Sequence, residues 1–312
     1  MKKLITIVSP CFNEEVGIRK CYESVTKLFN DELKEYDLEY IFCDNGSNDE
    51  TVRILRAIAN KDKRVKVIVN SRNFGVLENT FNGVVSSSGD AVLLFLPIDM
   101  QDPPELLPRF VKHWESGYQI VYGVRASREE GIIIASLRKL YYQVLSRITY
   151  VDYPPNVGDF QLVDKRVIEE LRRVDDAYPF LRMMTFDTGF DALGVKYTWK
   201  KREYGNSHLS IFHLFDLGLR GIVSHSELPL RLCLLIGLIV AVGSLIYALY
   251  VAILIAFGGP ETIRGIPTII VAIFFFAGVQ LFFLGFIGEY LAAIFRQVRK
   301  KPLVVEKERI NF

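Results

Sequence analysis

Cysteine is scarce in this sequence and forms no pattern. The 312 residues contain four, Cys11, Cys21, Cys43 and Cys233. They lack the paired spacing of a zinc site, and in a reducing compartment they count as small apolar residues. Net charge is lacking too. Lys and Arg number 38 against 36 Asp and Glu, a formal +2, which argues against the broad basic field of a nucleic-acid-binding protein. The opening "MKKLITIVSP" has two lysines and a short apolar stretch. Pro10 arrives too early for the apolar region of a signal peptide, so residues 1–230 are expected to stay on the side of synthesis.

Charge is missing altogether from two long runs. Residues 232–257, "LCLLIGLIVAVGSLIYALYVAILIAF", carry none; as a helix this run is about 39 Å long, enough to cross a bilayer core. Residues 265–288 form a second uncharged run, and only "GGPETIR" separates the two. Two helices buried in a soluble core would need a much larger chain to cover them. The expectation is a transmembrane hairpin, with spans at 232–257 and 266–295. Arg220 and Arg231 precede it, Arg296, Arg299, Lys300 and Lys301 follow it, and Arg264 alone lies between the spans. The positive-inside bias predicts an integral protein of the inner membrane, with the soluble domain and both termini in the cytoplasm. The expected division is a soluble domain at 1–207, an amphipathic juxtamembrane segment at 208–230, the spans within 231–296 and a tail at 297–312. Small residues in the spans suit packing within one chain or between copies in a homo-oligomer.

In the soluble part, "LITIV" (4–8), "YIFC" (40–43), "VKVIV" (65–69), "VLLFL" (92–96) and "IVYG" (120–123) have the short β-branched character of strands. "VRILRAIA" (52–59) puts Val52, Leu55, Ile58 and Ala59 on one helical face. Such alternation predicts an α/β fold, a mostly parallel Rossmann-like sheet with helices on both faces. Ligands of such sheets bind beyond the carboxyl ends of the strands. The chemically unusual stretches fall there: "SPCFNEE", "DNGSND", "NSRNFG", "PIDMQD" and "GVRASR", one after each run. The tail "KKPLVVEKERI" ends in a strand-like run suited to a sheet edge. The segments 132–150 and 208–227 have the spacing of helices, packed on the sheet or lying at a membrane surface.

The stretch "LLFLPIDMQDPPELL" (93–107) is the most informative. A buried run that ends in carboxylates suits a cation or phosphate site. Asp102, before Pro103 and Pro104, reads as a helix cap, because proline suits the first helical turn.

Taken together, "SPCFNEE", "DNGSNDET", "RNFG", "DMQDPPELL", "NVGDFQLVDKRVIEEL", "REYGNSH" and "GEYLAAIFRQVRKKP" resemble the GT-A-fold family 2 glycosyltransferases, in particular those acting on polyprenyl phosphates. The resemblance runs from residue 7 to 302. It implies transfer of a sugar from a nucleotide sugar, UDP-glucose or a related UDP-sugar, to undecaprenyl or dolichyl phosphate at the bilayer. By motif, Pro10, Asn13, Glu14 and Asp44 would line the nucleotide pocket. Asp99 and Gln101 would hold Mg2+ or Mn2+ and face the nucleotide diphosphate. Asp159 would lie near the acceptor, while Arg125, Arg138, Arg202 and Ser207 would bind the lipid phosphate, with Asp99, Asp159 and Arg202 the catalytic set. Three departures stand out: Pro97 replaces the first aspartate of "DxD", Asn45 replaces the second of "DDGS", and His208 replaces a lysine.

The chemistry fits a single carboxylate. A nucleotide diphosphate leaves poorly unless its developing charge is neutralised, and a hard cation does this without proton transfer. Magnesium takes oxygen ligands, commonly one or two carboxylates plus substrate phosphates and water. A phosphate monoester is largely dianionic at neutral pH, so the acceptor needs little general-base help, and Asp159 is expected to position or polarise. The expected reaction is direct displacement through an oxocarbenium-like state, with the inversion that the family implies. Three alternatives stay open: a GDP-mannose donor, a catalytically impaired nucleotide-sugar-binding scaffold, and a processive synthase. The absence of "QxxRW" and of further spans argues against the last.

Overall fold

The computed structural model describes residues 2–127, 154, 157–176, 179–198, 227–256, 266–299 and 301–312. These fall into two compact units, Met1–Phe215 with Lys300–Phe312, and Asp216–Arg299.

The first unit is built on an eight-stranded sheet. β1 (Lys3–Cys11), β2 (Tyr36–Asp44), β3 (Val65–Asn70), β4 (Ala91–Leu93), β5 (Ile120–Ser127), β6 (Val157–Asp164), β7 (Ala192–Thr198) and β8 (Glu306–Ile310) lie in the order β7-β5-β6-β4-β1-β2-β3-β8. β6 runs antiparallel to β4 and β5, and β8 antiparallel to β3; the other pairings are parallel. β1 is buried from Ile5 to Cys11 and β2 from Leu38 to Asp44, as central strands covered on both faces must be. α1 (Ile18–Asp31), α2 (Thr51–Lys61), α3 (Val76–Val85), α4 (Leu107–Glu115), α5 (Lys165–Arg173) and α6 (Leu181–Asp187) supply that cover. α1 buries Ile18, Cys21, Val25, Leu28 and Phe29, one face at helical spacing.

The anticipated runs at 4–8, 40–43, 65–69 and 120–123 lie inside longer strands, 52–59 lies inside α2, and the tail forms an edge strand. The run 92–96 is regular strand only to Leu93. Beyond it the chain alternates partners: Leu94 N–H donates to Gln161 O at 2.9 Å and Leu96 N–H to Val8 O at 2.9 Å. The segment 132–150 and residues 208–226 lie outside the described residues.

The second unit holds α7 (Leu228–Ala256) and α8 (Ile266–Val298). Within it, Phe275–Val298 is long and apolar enough to cross a membrane, and Leu230–Val240 is a shorter apolar helical stretch among the described side chains. Leu234, Tyr247 and Leu281 are each more than two-thirds exposed. Exposed apolar surface on this scale does not fit the core of a soluble protein.

Candidate active site

β1 and β2 end side by side, and the loops that follow them are bonded together. Asn13 has φ 56°. Its N–H donates to Ser47 Oγ at 2.9 Å, and its Oδ1 accepts from Asn48 N–H at 2.9 Å. Glu14 N–H donates to Thr51 Oγ1 at 2.8 Å, and Glu15 N–H to Asp49 Oδ2 at 3.2 Å. Pro10 lies buried in β1 opposite Cys43. The structure thus brings Pro10, Asn13, Glu14 and Asp44 together at one rim of the sheet.

Asp44 is fully buried. Its Oδ2 accepts from the N–H groups of Gly46 and Ser47, both at 3.0 Å. Burial raises its pKa, and the bonds from Ser47 and Gly46 oppose the shift without cancelling it. The turn it shapes requires glycine. Gly46 has φ 77°, and a Cβ there would lie 2.8 Å from the Arg72 backbone.

Asn45, the departure from "DDGS", ties the next loop to this rim. Its Nδ2 donates to Asn73 Oδ1 (2.9 Å) and to Gly75 O (3.0 Å), while its Oδ1 accepts from Phe74 N–H (3.0 Å) and Asn70 Nδ2 (3.3 Å). An aspartate would turn a carboxylate towards two acceptor oxygens. In this chain the asparagine is the better fit.

The "PIDMQD" loop crosses the same rim from the end of β4. A Cβ on Gly17 would lie 2.7 Å from Ile98 Cγ2, so this loop packs directly on the one after β1. Met100 N–H donates to Pro97 O at 3.2 Å, Met100 itself takes φ 56°, and Gln101 N–H donates to Asp99 Oδ1 at 3.1 Å. Asp99 and Gln101 are buried polar residues. Their oxygens are hard donors of the kind magnesium and manganese take, with substrate phosphates completing the shell. Among the described residues no group of three or more His, Cys, Asp or Glu side chains is gathered as a metal cluster.

Asp102 is not a helix cap. The short 3-10 turn Pro104–Leu106 begins after Pro103 without a side-chain cap. Asp102 is 1% exposed and faces Arg125, whose Nη2 lies 3.1 Å from its Oδ2. The Tyr197 hydroxyl donates to Asp102 Oδ1 and accepts from Arg125 Nε at 3.1 Å. Capping loses here because a buried carboxylate gains more from a guanidinium and a phenol than from a backbone amide.

Asp159, on β6, is gripped by Arg182 at the start of α6. Arg182 Nη2 lies 2.6 Å from Oδ2, and Nε lies 3.2 Å from Oδ1. Burial alone would raise the Asp159 pKa, but the charge and hydrogen bonds of Arg182, with the charge of Arg125 beyond it, carry it below the usual carboxylate value. Gln161, two residues on and fully buried, donates to Arg182 O at 3.2 Å and accepts from Thr185 Oγ1 at 2.8 Å. Of the anticipated phosphate-binding residues, Arg125 is described; Arg138, Arg202 and Ser207, like His208, lie outside the described residues.

Tyr197 and Arg182 escape a reading of the sequence. For Tyr197 a signal exists. Val195 and Tyr197 are the buried positions of "ALGVKYT", and a buried phenol needs a hydrogen-bond partner. Nothing in "YPFLRMM" marks Arg182.

Comparison with known proteins places this rim in a family. Residues 6–172 match "Glycosyl transferase family 2", and residues 228–294 match "GtrB C-terminal hairpin". The chain belongs to glycosyl transferase family 2. It is 34% identical over 307 residues to the bactoprenol glucosyl transferase of Shigella phage SfX, covering 98% of this chain and 99% of that one. A prophage-derived bactoprenol glucosyl transferase of Shigella flexneri matches at 34%, with 97% of each chain covered. The uncharacterized glycosyltransferase YkcC of Bacillus subtilis matches at 32%, covering 96% of this chain and 92% of its own. As a family 2 glycosyltransferase the chain is an enzyme, and its sheet is the GT-A arrangement that the motifs imply.

Proposed function

We propose that this enzyme transfers a sugar, glucose from UDP-glucose or a related UDP-sugar, to a polyprenyl phosphate at the cytoplasmic face of a membrane. The observation that supports the reading is that the loop carrying Asp99 and Gln101 packs on the loop after β1, which is itself bonded to the loop after β2. The near full-length similarity to two proteins named bactoprenol glucosyl transferase supports the acceptor class, and the "GtrB C-terminal hairpin" match supports a membrane setting.

Mg2+ or Mn2+, held by Asp99 and Gln101, would supply charge neutralisation for a departing diphosphate. The protein's own groups do the rest. The loops at 12–15 and 44–51 form the nucleotide end. Arg125 presents a guanidinium whose position is fixed by two neighbours. Asp159, kept ionised by Arg182, sets the electrostatics on the acceptor side and is a poor proton acceptor. The acceptor phosphate, dianionic near neutral pH, attacks the anomeric carbon as the diphosphate leaves.

The test is incubation of purified enzyme, Mg2+ and undecaprenyl phosphate with a panel of labelled UDP- and GDP-sugars. A single sugar-phosphate lipid from one donor is expected. Asp99→Asn should abolish it, a loss of about a thousandfold or more if the ion supplies several kcal/mol of transition-state stabilisation, with no change in Tm. Donor binding without a lipid product from any donor would instead identify a scaffold, and a polymeric product a processive synthase.

A further inference from the structure

The "DMQD" loop carries two carboxylates with different partners. Asp99 sits at the rim with Gln101. Asp102 is sealed beneath, 1% exposed, against Arg125 and Tyr197. We propose that Asp102 and Tyr197 are positioning residues that fix the Arg125 guanidinium for the acceptor phosphate, so that one loop serves both phosphates: the donor's through a cation on Asp99 and the acceptor's through an arginine held by Asp102.

Three observations argue for positioning. First, Arg125 is restrained at two points of its planar fork, Nη2 by Asp102 and Nε by Tyr197 OH at 3.1 Å. A guanidinium held at both a terminal and the inner nitrogen cannot turn about its long axis, so its direction is set before any ligand arrives. Second, the neighbouring backbone leaves no slack. A Cβ on Gly158 would lie 3.3 Å from Arg125 Nη2, and Gly158 precedes Asp159, the residue held by Arg182. Third, only two residues separate Asp99 from Asp102, and the loop between is fixed by the Gln101 N–H bond to Asp99 and the positive φ of Met100. Arg125 lies on β5 and Tyr197 on β7, which pair directly, with Arg125 in register opposite Tyr197. The guanidinium is therefore bound to the loop by side chains and to the sheet by backbone.

The chemistry gives this arrangement a purpose. The acceptor phosphate is an anion that must close on an anionic donor, and a preorganised positive group lowers the barrier most because it need not reorient as the two approach. A misdirected Arg125 should therefore cost turnover more than donor affinity.

The inference rests on the proposed reaction, so its test separates the two. Full-length wild-type enzyme, Tyr197→Phe, Asp102→Asn and Arg125→Lys are compared for kcat, donor KM and Tm. Mn2+ binding in the presence of UDP is measured by electron paramagnetic resonance, with Asp99→Asn as the control. The expected result is a fall in kcat of about ten- to a hundredfold in Tyr197→Phe and Asp102→Asn, with donor KM within about threefold. Mn2+ binding stays at the wild-type level in both and is lost in Asp99→Asn. Tyr197→Phe keeps the ring packed against Phe160, so it remains informative if Asp102→Asn fails to fold. Wild-type kcat in a folded Tyr197→Phe overturns the positioning role. Loss of Mn2+ in a folded Asp102→Asn also overturns it, by making Asp102 a metal ligand. A wild-type enzyme that binds no UDP with Mn2+ fails earlier and refutes the proposed function instead.

Discussion

Asp159 answers to two opposing influences, burial and a bidentate arginine, and the arginine wins. The sign of the consequence is definite. A carboxyl whose folded pKa lies below its unfolded value of about 3.9 contributes stability that is fully present above that value. The contribution disappears only as pH falls through the lower, folded value. Asp159 is thus ionised across the working range, and no limb of the activity profile near neutrality belongs to it. On the proposed reaction the acceptor phosphate titrates there, with a second pKa near 6. The kcat/KM for lipid acceptor should fall below about pH 6, and Asp159→Asn, though slower, should keep that limb in place. An acidic limb that vanishes in Asp159→Asn would make the aspartate a general base after all. The same scale explains Asn45. From the sequence alone it is a lost charge, yet its amide donates to two acceptors that a carboxylate would repel.

Among the elements, β8 closes an edge of the sheet. It covers the edge of β3 with five residues, and an uncovered edge is a template for intermolecular pairing. Side chains reinforce the backbone pairing. Asn311 Nδ2 donates to Ala59 O and Val65 O, both at 2.8 Å, Asn82 Nδ2 donates to Glu306 Oε1 at 2.7 Å, and Arg56 pairs with Glu308 at 2.6 Å. Removing residues 305–312 should lower Tm by at least about 5 °C and promote aggregation, read by scanning fluorimetry and light scattering. An unchanged melting curve would reduce β8 to a passive tail. The element scale also marks what the sequence made legible. The strands β1, β2, β3 and β5 announce themselves because both faces are buried and the apolar run is continuous. β6 hides because Asp159 and Gln161 occupy its second face, where they hold the start of α6, so its pattern resembles a loop. Asp99 was recognisable from its place after a buried strand. Arg125 was named by its motif, but the partners that orient the site were not legible, since Tyr197 is brought to Arg125 and Asp102, and Arg182 to Asp159, by contacts remote in sequence.

For the whole molecule, the sheet constrains how the chain meets a membrane. The first unit runs to Phe215 and resumes at Lys300, and β8 then pairs in the same sheet as β1 to β3. Residues near both termini therefore belong to one folded body and must lie on one side of any membrane that α7 and α8 cross. The number of crossings between them is even, whatever the loop charges suggest. The two departures from the sheet also share an end. Thr198 closes β7 beside Ser127, Glu306 opens β8 beside Asn70, and both lie where β1 and β2 present the candidate site. Single cysteines at Lys2 and Lys307, both exposed, in a chain with Cys233 replaced by serine, should react alike with a membrane-impermeant maleimide. In intact cells both should be protected, and in inverted vesicles both labelled, while a cysteine at Glu261, between the two helices, should show the reverse. Opposite labelling of positions 2 and 307 cannot be reconciled with β8 in the sheet, and would force one of the two helices out of the bilayer.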